Sequence, residues 1–476
     1  MAFFLISAVY SLAVWPAIFF SRKQPIAMVA WLLGVSLLPL IGPTFFLLFG
    51  LGRGRWGLPR KKGRADRLIR GALDERVPFR KLLPEDYDAV RPELRPLLRL
   101  AENVGFSPIT RGNLVRLLQG ARENYECLLE DIRKARHHVH LEYFTIKHDQ
   151  TGQRLADALI ERAKAGISVK LMADGFGSRK LSYRFINRLL RGGVVFNWFH
   201  PLNPLRRRWS FNIRNHRKNA VIDGRIGYLG GINVADEYLG LDPTVGEWYD
   251  LAVRIEGPAV LSLQRVFSED WHFCTNEQLV GEEYFPRSDL APDGSLVQII
   301  SSGPHDRSDD LHQVYFSGLT IAQRQAWLVT PYFIPDEAFQ AALAGAALRD
   351  VDVRVLVASR TMRPLVDSAS RSFFPDLLRA EVPIYGFRRD AMIHAKALLV
   401  DGVLAVVGSA NFDQRSFRIN FETGALIHDE RFARTLGSYF RRMMEHSRKL
   451  TLAEIQGRPW QQRTADAFTR LLSPLF

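Results

Sequence analysis

The sequence is poor in cysteine and lacks the motifs of the common cofactor sites. Its two cysteines, Cys127 and Cys274, are too few for a disulfide framework and fit a reduced compartment. No cluster of cysteine and histidine has the spacing of zinc ligands, and no glycine-rich loop for nucleotide phosphates is found. We therefore expect neither a metal nor a cofactor, and the chemistry has to come from ordinary side chains.

Basic residues outnumber acidic ones. Lysine and arginine number 64 against 50 aspartates and glutamates, which gives a net charge of +14 in a chain of 476 residues. A basic surface suits anionic lipid and nucleic acid equally well, so composition alone leaves both partner classes open. The length leaves room for two or three domains.

A short pattern of histidine, lysine and aspartate occurs twice. In each copy a glycine follows the aspartate, and then an apolar run leads to a small-residue turn that ends in asparagine, GGIN at 230–233 and GSAN at 408–411. Two matches with the same downstream turn indicate an internal duplication. The two copies consist of His216, Lys218 and Asp223, and of His394, Lys396 and Asp401.

The spacing within each copy predicts a strand with its functional groups on one face. Residues two apart in a strand point the same way, so each histidine and its lysine share a face. The Asp-Gly pair predicts a turn, and we interpret Asp223 and Asp401 as supports of the motif and not as proton carriers. The bends that follow can hold an anion through Asn233, Ser409 and Asn411.

Each copy therefore offers an imidazole, an ammonium and an amide at one edge. A phosphate diester requires this set, because a group of near-neutral pKa must act on it while fixed positive charge holds its oxygens. Two such edges that face each other would supply one histidine to attack phosphorus and one to protonate the leaving oxygen.

The duplicated motif resembles the hallmark of the phospholipase D superfamily. Three further stretches resemble the bacterial cardiolipin synthase family within it, namely HLEYF at 140–144, DGFGS at 174–178 and TPYFIP at 330–335. The resemblance covers nearly the whole chain, although Glu381 stands where the family usually has glycine in a turn. Together with the repeated strand–helix–strand order, it implies an α/β fold of two phospholipase D-like α-β-α sandwich halves. Their sheets are expected to be mixed and largely parallel, and the halves to pack face to face.

The resemblance also implies an enzyme, a phosphatidyltransferase. It would join two phosphatidylglycerols into cardiolipin and glycerol through a phosphatidyl-histidine intermediate, with Lys218, Lys396, Asn233 and Asn411 holding the phosphate. By family analogy His216 is the nucleophile and His394 the acid and base, although either assignment fits the sequence. A carboxylate is expected to orient each ring, Asp250 for His216 and Glu422 for His394.

Three alternatives remain open. One is a hydrolase of the phospholipase D type or a nuclease, another is a transphosphatidylase with phosphatidylethanolamine as donor, and the least favoured is a lipid-binding scaffold without activity. The expected partners are an anionic phospholipid, phosphatidylglycerol, and a membrane, with no nucleic acid. The oligomeric state stays open, a homodimer being one option.

Two apolar runs at the start of the chain indicate membrane attachment. Residues 3–20 carry no charge and would extend about 27 Å as a helix, enough for a bilayer core. Residues 25–51 are again uncharged but contain Pro39 and Pro43, which favours a transmembrane hairpin over 1–52 with kinks or a re-entrant path. A cleaved signal peptide is the alternative for the first run, but a basic region before it is missing.

Basic residues follow the second run and set the orientation. They would keep the catalytic part on the cytoplasmic side of a bacterial inner membrane as a multi-pass protein, and they either dock on anionic headgroups or merely flank the span. The arginines near the first motif would steer anionic lipid or form a solvated face. The domains expected are the hairpin, a basic segment and linker over 53–110, and two catalytic halves over 111–290 and 291–476. The basic residues are Arg53, Arg55, Arg60, Lys61, Lys62, Arg64, Arg67 and Arg70, and near the motif Arg206, Arg207, Arg208, Arg214 and Arg217.

Overall fold

A computed structural model provides the fold for most of the chain. The residues described are 2–21, 25–50, 58–74, 90–105, 107–201, 203, 210, 212–242, 246–287, 290–306 and 309–473. Five of the basic residues singled out above lie outside these ranges, as does the stretch 75–89 of the predicted linker. They are Arg53, Arg55, Arg206, Arg207 and Arg208.

The helices are spread along the chain between the strands. They are α1 Ala2–Phe19, α2 Pro25–Leu37, α3 Ile41–Phe45, α4 Leu58–Asp74, α5 Arg95–Gly105, α6 Ala121–Lys134, α7 Gln150–Lys164, α8 Tyr183–Arg191, α9 Ala259–Thr275, α10 Asp310–Ile321, α11 Glu337–Ala347, α12 Pro364–Arg379, α13 Gln414–Arg418, α14 Glu430–Glu445, α15 Leu452–Gln456 and α16 Trp460–Leu471. Short turns of other helix types lie at Phe46–Gly50, Pro92–Leu94, Asp236–Leu239 and Glu282–Tyr284.

The strands belong mainly to one sheet. They are β1 Thr110–Gln119, β2 His138–Tyr143, β3 Ser168–Ala173, β4 Val195–Trp198, β5 Lys218–Ile222, β6 Ile226–Gly230, β7 Glu247–Tyr249, β8 Leu251–Glu256, β9 Ser295–Ser302, β10 Gln325–Thr330, β11 Phe333–Ile334, β12 Asp352–Ala358, β13 Ile384–Phe387, β14 Ala391–Ile393, β15 Ala397–Val400, β16 Leu404–Gly408, β17 Phe412–Asp413, β18 Glu422–His428 and β19 Ser447–Lys449.

The main sheet has 15 strands in the order β19-β13-β12-β10-β15-β16-β18-β9-β1-β8-β6-β5-β2-β3-β4. Read outward from its centre, β1-β8-β6-β5-β2-β3-β4 repeats the order β9-β18-β16-β15-β10-β12-β13. The duplication seen in the sequence is therefore a duplication of topology. The two copies join edge to edge where β1 pairs with β9, with Thr110 opposite Val297, so the prediction that the halves pack face to face is wrong.

The prediction of largely parallel sheets is wrong. Parallel pairing is confined to β2, β3 and β4 in the first half and to β10, β12 and β13 in the second, and the other neighbours in the main sheet are antiparallel. The reason is that each motif forms a hairpin, β5–β6 and β15–β16, which enters the sheet antiparallel between the crossover strands and β8 or β18. The fold is mixed α/β.

The sheet also joins the hydrophobic cores of the two halves. One buried cluster belongs mainly to each half, and a third draws Val221 and Val253 from the first half together with Leu399 and Val407 from the second. Because apolar side chains of both copies pack in this third cluster, the edges that carry the motifs are held in a fixed relation. In the turn before β13, Glu381 has φ 59°, a conformation that favours glycine.

The structure does not support the predicted transmembrane hairpin. Among the residues described, no helix is long and apolar enough to cross a membrane. The second apolar run is divided, because α2 has only 13 residues and the chain turns at Leu40, where φ is 74°. Helices α1 and α2 pack through Val14, Ile18 and Val35.

Candidate active site

The two motif histidines precede their strands and are tied to the opposite half through the backbone. The N–H of His216 donates to the carbonyl of Phe421 at 2.9 Å, and the N–H of His394 donates to the carbonyl of Tyr249 at 2.7 Å. The short strands β7 and β14 pair beside the second of these contacts. The position of each motif histidine is therefore fixed by the segment that follows the other motif in the chain.

The carboxylates that contact the histidines are exchanged between the halves. Nδ1 of His216 lies 3.0 Å from both carboxylate oxygens of Glu422, and Nδ1 of His394 lies 2.7 Å from Oδ2 of Asp250. The predicted pairing of Asp250 with His216 and Glu422 with His394 is wrong. The backbone contacts explain the exchange, because they set Glu422 next to His216 and Asp250 next to His394.

Both imidazoles are held in the form that a nucleophile or base requires. A carboxylate that accepts the Nδ1 proton leaves the Nε2 lone pair free. Burial lowers the pKa of His216 to about 4 and the pKa of His394 to about 3, and for His394 the neighbouring Lys396 ammonium adds to this effect. At neutral pH both rings are therefore uncharged.

The two lysines bring the motifs together in one charged cluster. Lys218 and Lys396 are buried, and each Nζ donates to the carbonyl of its own motif histidine. Burial lowers the pKa of Lys218 to about 7 and the pKa of Lys396 to about 8. Lys396 contributes to the lowered pKa of Lys218, while Glu422 and Asp250 oppose the shift of both lysines. A phosphate anion would restore the charge of these ammonium groups.

Aromatic rings surround the imidazoles. The ring of Phe144 lies 4.8 Å from that of His216, and Trp248 and Tyr238 lie 5.1 and 5.7 Å from His394. Apolar surroundings of this kind exclude water and strengthen the charge interactions inside.

Two of the three predicted phosphate ligands are engaged elsewhere. Asn233 accepts from the N–H of Thr145 at 3.0 Å and donates to the hydroxyl of Tyr238, so it braces the loop beside the site. Ser409 donates to the carboxylate of Glu422 and thereby orients it. Asn411 is buried, and its Oδ1 has no hydrogen-bond partner within the described part of the chain.

The motif aspartates lie at the other ends of their strands. Asp223 accepts the N–H groups of residues 136–138, and Asp401 accepts those of residues 323–325. Both have positive φ, 55° and 52°. Strand β5, with five residues, lies between Asp223 and the end of its motif that carries the histidine, and strand β15, with four residues, does so for Asp401. Such strands are roughly 13 to 16 Å long. Their contacts hold the turns and do not reach the imidazoles.

A buried ionic network beneath His216 was missed from the sequence. Arg217 was expected at the approach to the motif, but it is only 1% exposed and its Nε donates to the carbonyl of Glu422 at 3.2 Å. It also pairs with Asp270, whose other oxygen lies 2.8 Å from Nζ of Lys62 on α4. Strand alternation is the signal that could have shown this, because Arg217 lies between His216 and Lys218 and must face the opposite side.

The ligand types for a metal do not gather at this site. In the ranges that the structure describes, no group of three or more histidine, cysteine, aspartate or glutamate side chains could hold a metal ion. The chemistry that the site offers is nucleophilic and acid–base catalysis by two imidazoles, with two ammonium groups for an anion.

Comparison with known proteins agrees with this chemistry. A family described as "Cardiolipin synthase, PLD-like domain" matches residues 128–271 and 315–444, so that each match contains one motif. Cardiolipin synthase of Geobacillus kaustophilus is 38% identical over 459 residues, which cover 95% of this chain and 90% of that protein. Cardiolipin synthase of Alkalihalophilus pseudofirmus is 36% identical over 465 residues, which cover 96% and 90%. Among solved structures, phosphatidylserine synthase of Haemophilus influenzae shares the fold at 15% identity, with a TM-score of 0.62 over 80% of this chain and 100% of that one.

Proposed function

The chain belongs to the cardiolipin synthase family and is a phosphatidyltransferase, and we propose that it joins two phosphatidylglycerols into cardiolipin and glycerol. The observation that carries the proposal is the pair of imidazoles, each held at Nδ1 by a carboxylate of the other half. One imidazole can attack a phosphorus atom while the other exchanges a proton with an alcohol, which is what transfer between two alcohols requires.

In the first step, Nε2 of His216 attacks the phosphorus of the donor lipid. A P–N bond forms, the P–O bond to the headgroup glycerol breaks, and the glycerol oxygen takes a proton from His394. The incoming diester is an anion and raises the pKa of His394, so that Nε2 of this ring takes up from solvent the proton that it then gives to the glycerol oxygen. Lys218 and Lys396 bind the non-bridging oxygens, on which charge accumulates in the transition state.

In the second step, a hydroxyl of another phosphatidylglycerol attacks the phosphatidyl-histidine. His394 takes the hydroxyl proton, a P–O bond forms, and the P–N bond breaks to restore His216. One diester replaces another, so no nucleotide is needed. The assignment of His216 as nucleophile follows the family analogy, and the exchanged roles would use the same groups.

Transfer competes with hydrolysis at the second step. The aromatic rings of Phe144, Trp248 and Tyr238 favour transfer because they keep water from the intermediate. A hydrolase would release phosphatidic acid from the same intermediate, and phosphatidylethanolamine could replace the donor because the cleaved headgroup leaves in the first step.

We also propose that the N-terminal helices hold the enzyme at a bilayer, with the catalytic halves on its cytoplasmic side and with the domain limits given above. The support is the large number of exposed apolar side chains on α1 and α2, among them Val9, Leu12, Val29 and Leu33, each more than half exposed. Water-exposed apolar surface of this extent marks a lipid or protein contact. Attachment beside the lipid source raises the local concentration of acceptor.

The test is a product assay with the full chain and vesicles of phosphatidylglycerol, with or without phosphatidylethanolamine. We expect cardiolipin and glycerol, and a loss of at least about 1,000-fold in His216→Ala and in His394→Ala. Phosphatidic acid as the main product would indicate a hydrolase, and near-normal transfer in either variant would contradict a shared site.

A further inference from the structure

A half-buried arginine beside the active site has only neutral partners. Arg415 lies on α13, just after the turn that carries Asn411. Its Nη1 donates to Oδ1 of Asn212 at 2.7 Å, and its Nη2 donates to the carbonyl of the same residue. Across the described ranges, no ion pair joins Arg415 to a carboxylate. A guanidinium in such a place usually has an anionic partner.

Two more arginines add positive charge at the same place. The guanidinium of Arg214, a residue only 7% exposed, lies 4.8 Å from the ring of Phe176. That of Arg363 lies 5.8 Å from the ring of Tyr332. Burial, and then the charges of Arg214 and Arg363, lower the pKa of Arg415 to about 10. Arg214 and Arg363 therefore each repel the guanidinium of Arg415.

The nearest carboxylates are occupied by backbone groups. Asp174 accepts the N–H groups of Phe176, Gly177 and Asn215. Asp413 accepts the N–H of Ser416 at the start of α13. These contacts hold the two loops in place, and the charges of Asp174 and Asp413 offset only part of the effect that burial and the neighbouring arginines have on the pKa of Arg415.

The arginines adjoin the reacting groups. The carbonyl of Arg214 accepts the N–H of Phe421 at 2.8 Å, directly before Glu422. The loop that carries Phe176 packs so closely on Phe144 that a Cβ at Gly177 would lie 2.2 Å from the Phe144 carbonyl oxygen. Phe144 in turn contacts the ring of His216. A ligand that spans from His216 past Phe144 would therefore reach Phe176 and the guanidinium of Arg214 that lies against its ring.

We propose that Arg415, with Arg214 and Arg363, binds the phosphodiester of the acceptor phospholipid while its glycerol hydroxyl attacks at His216. This inference rests on the proposed function. The two motif lysines serve the phosphate that reacts, whereas joining two phosphatidylglycerols brings a second phosphate that does not react. A hydrolase has no use for a second anion site, since its acceptor is water.

The test compares acceptors with and without a phosphate in Arg415→Gln. Cardiolipin formation from phosphatidylglycerol vesicles is measured beside the exchange of labelled free glycerol into phosphatidylglycerol, which uses the same donor and the same intermediate. We expect Arg415→Gln to lower cardiolipin formation by about 10- to 100-fold while exchange changes by less than about 2-fold, because only the former loses a charged contact. Arg415→Lys should recover part of the loss.

Arg418→Gln is the matched control, because Arg418 lies on the same helix but pairs with Asp336 at 2.8 Å. Arg418→Gln should leave the ratio of cardiolipin formation to glycerol exchange unchanged. If this ratio fell as much in Arg418→Gln as in Arg415→Gln, the loss of one positive charge on the helix would explain both results, and the inference would fail. An equal fall of both reactions in Arg415→Gln, or no fall, would overturn the inference. Soluble glycerol phosphate as acceptor tests whether Arg415 recognises the phosphate or the lipid. If Arg415→Gln used glycerol phosphate as fast as the wild type does, recognition of the phosphate would be refuted. If the wild type forms no cardiolipin at all, the proposed function itself fails.

Discussion

Lys62 offers a strong test of how the basic helix α4 is attached. It is 1% exposed, forms an ion pair with Asp66, and lies 2.8 Å from Oδ1 of Asp270. Asp66 also contacts His305, and Asp270 pairs with Arg217. Lys62→Met keeps the length of the side chain but leaves two buried carboxylates short of one cation. Removal of one partner from a buried pair costs about 3 to 5 kcal/mol, so we expect a loss of that size in the free energy of unfolding.

The loss should depend on pH in a defined direction. Burial alone would raise the pKa of Asp66, but Lys62 and His305 outweigh it and hold the pKa well below its usual range. Burial would likewise lower the pKa of Lys62, but Asp270 and Asp66 raise it above its usual range. The carboxylate contribution is therefore present above the unfolded value of about 4 and is lost in acid, while the lysine contribution is present below about 10. Between these limits the variant should show its full defect.

Denaturant unfolding followed by tryptophan fluorescence at several pH values gives the measurement. Lys61→Met is the matched control, since Lys61 is exposed on the same helix and its loss should change stability by less than about 0.5 kcal/mol. A defect below about 1 kcal/mol in Lys62→Met at pH 7, or one that does not shrink toward pH 3, would refute the reasoning.

Three further predictions concern the site. Asp250→Asn and Glu422→Gln should each slow cardiolipin formation by about 100- to 10,000-fold. In ring-nitrogen NMR, Asp250→Asn should shift the second motif's histidine and Glu422→Gln the first's, and the opposite pattern would contradict the exchanged pairing. The pKa values of the motif lysines, lowered to about 7 and about 8, predict that kcat/KM falls above pH 7 to 8 as the ammonium groups lose their protons, and a rate flat to pH 10 would count against them. Asp223→Asn should lower the free energy of unfolding by about 1 to 3 kcal/mol, because backbone N–H groups lose a charged acceptor, and it should keep kcat within about 10-fold of the wild type. A roughly 1,000-fold loss of kcat without loss of stability would show instead that Asp223 is catalytic.

The sequence predicted the local structure of the motifs well. Each lysine does lie beside its motif histidine, although both histidines precede their strands. Asp-Gly marked the turn where Asp223 and Asp401 have positive φ. The strand–helix–strand units were also foreseen, and they supply the parallel pairs at both ends of the sheet. These features depend on residues that are close together in the chain, and the local sequence pattern predicts such features reliably.

What the sequence did not predict depends on contacts between distant segments. Sheet order is decided by where the two hairpins insert, and no local pattern encodes that position. The carboxylate partners were assigned by distance along the chain, although Glu422 is 3.0 Å from His216 across 206 positions. Asn233 was assigned to phosphate because its side chain can bind an anion, but its partners Thr145 and Tyr238 are known only from the fold.

The exchanged carboxylates have a consequence for biosynthesis. While the ribosome is still translating the second half, the nascent first half already contains His216 but not Glu422, so its imidazole lacks the group that orients it. A truncated product would share this defect, and a stalled chain would not release headgroups from lipids around it. The enzyme therefore becomes active only after both repeats have been synthesised and have folded against each other.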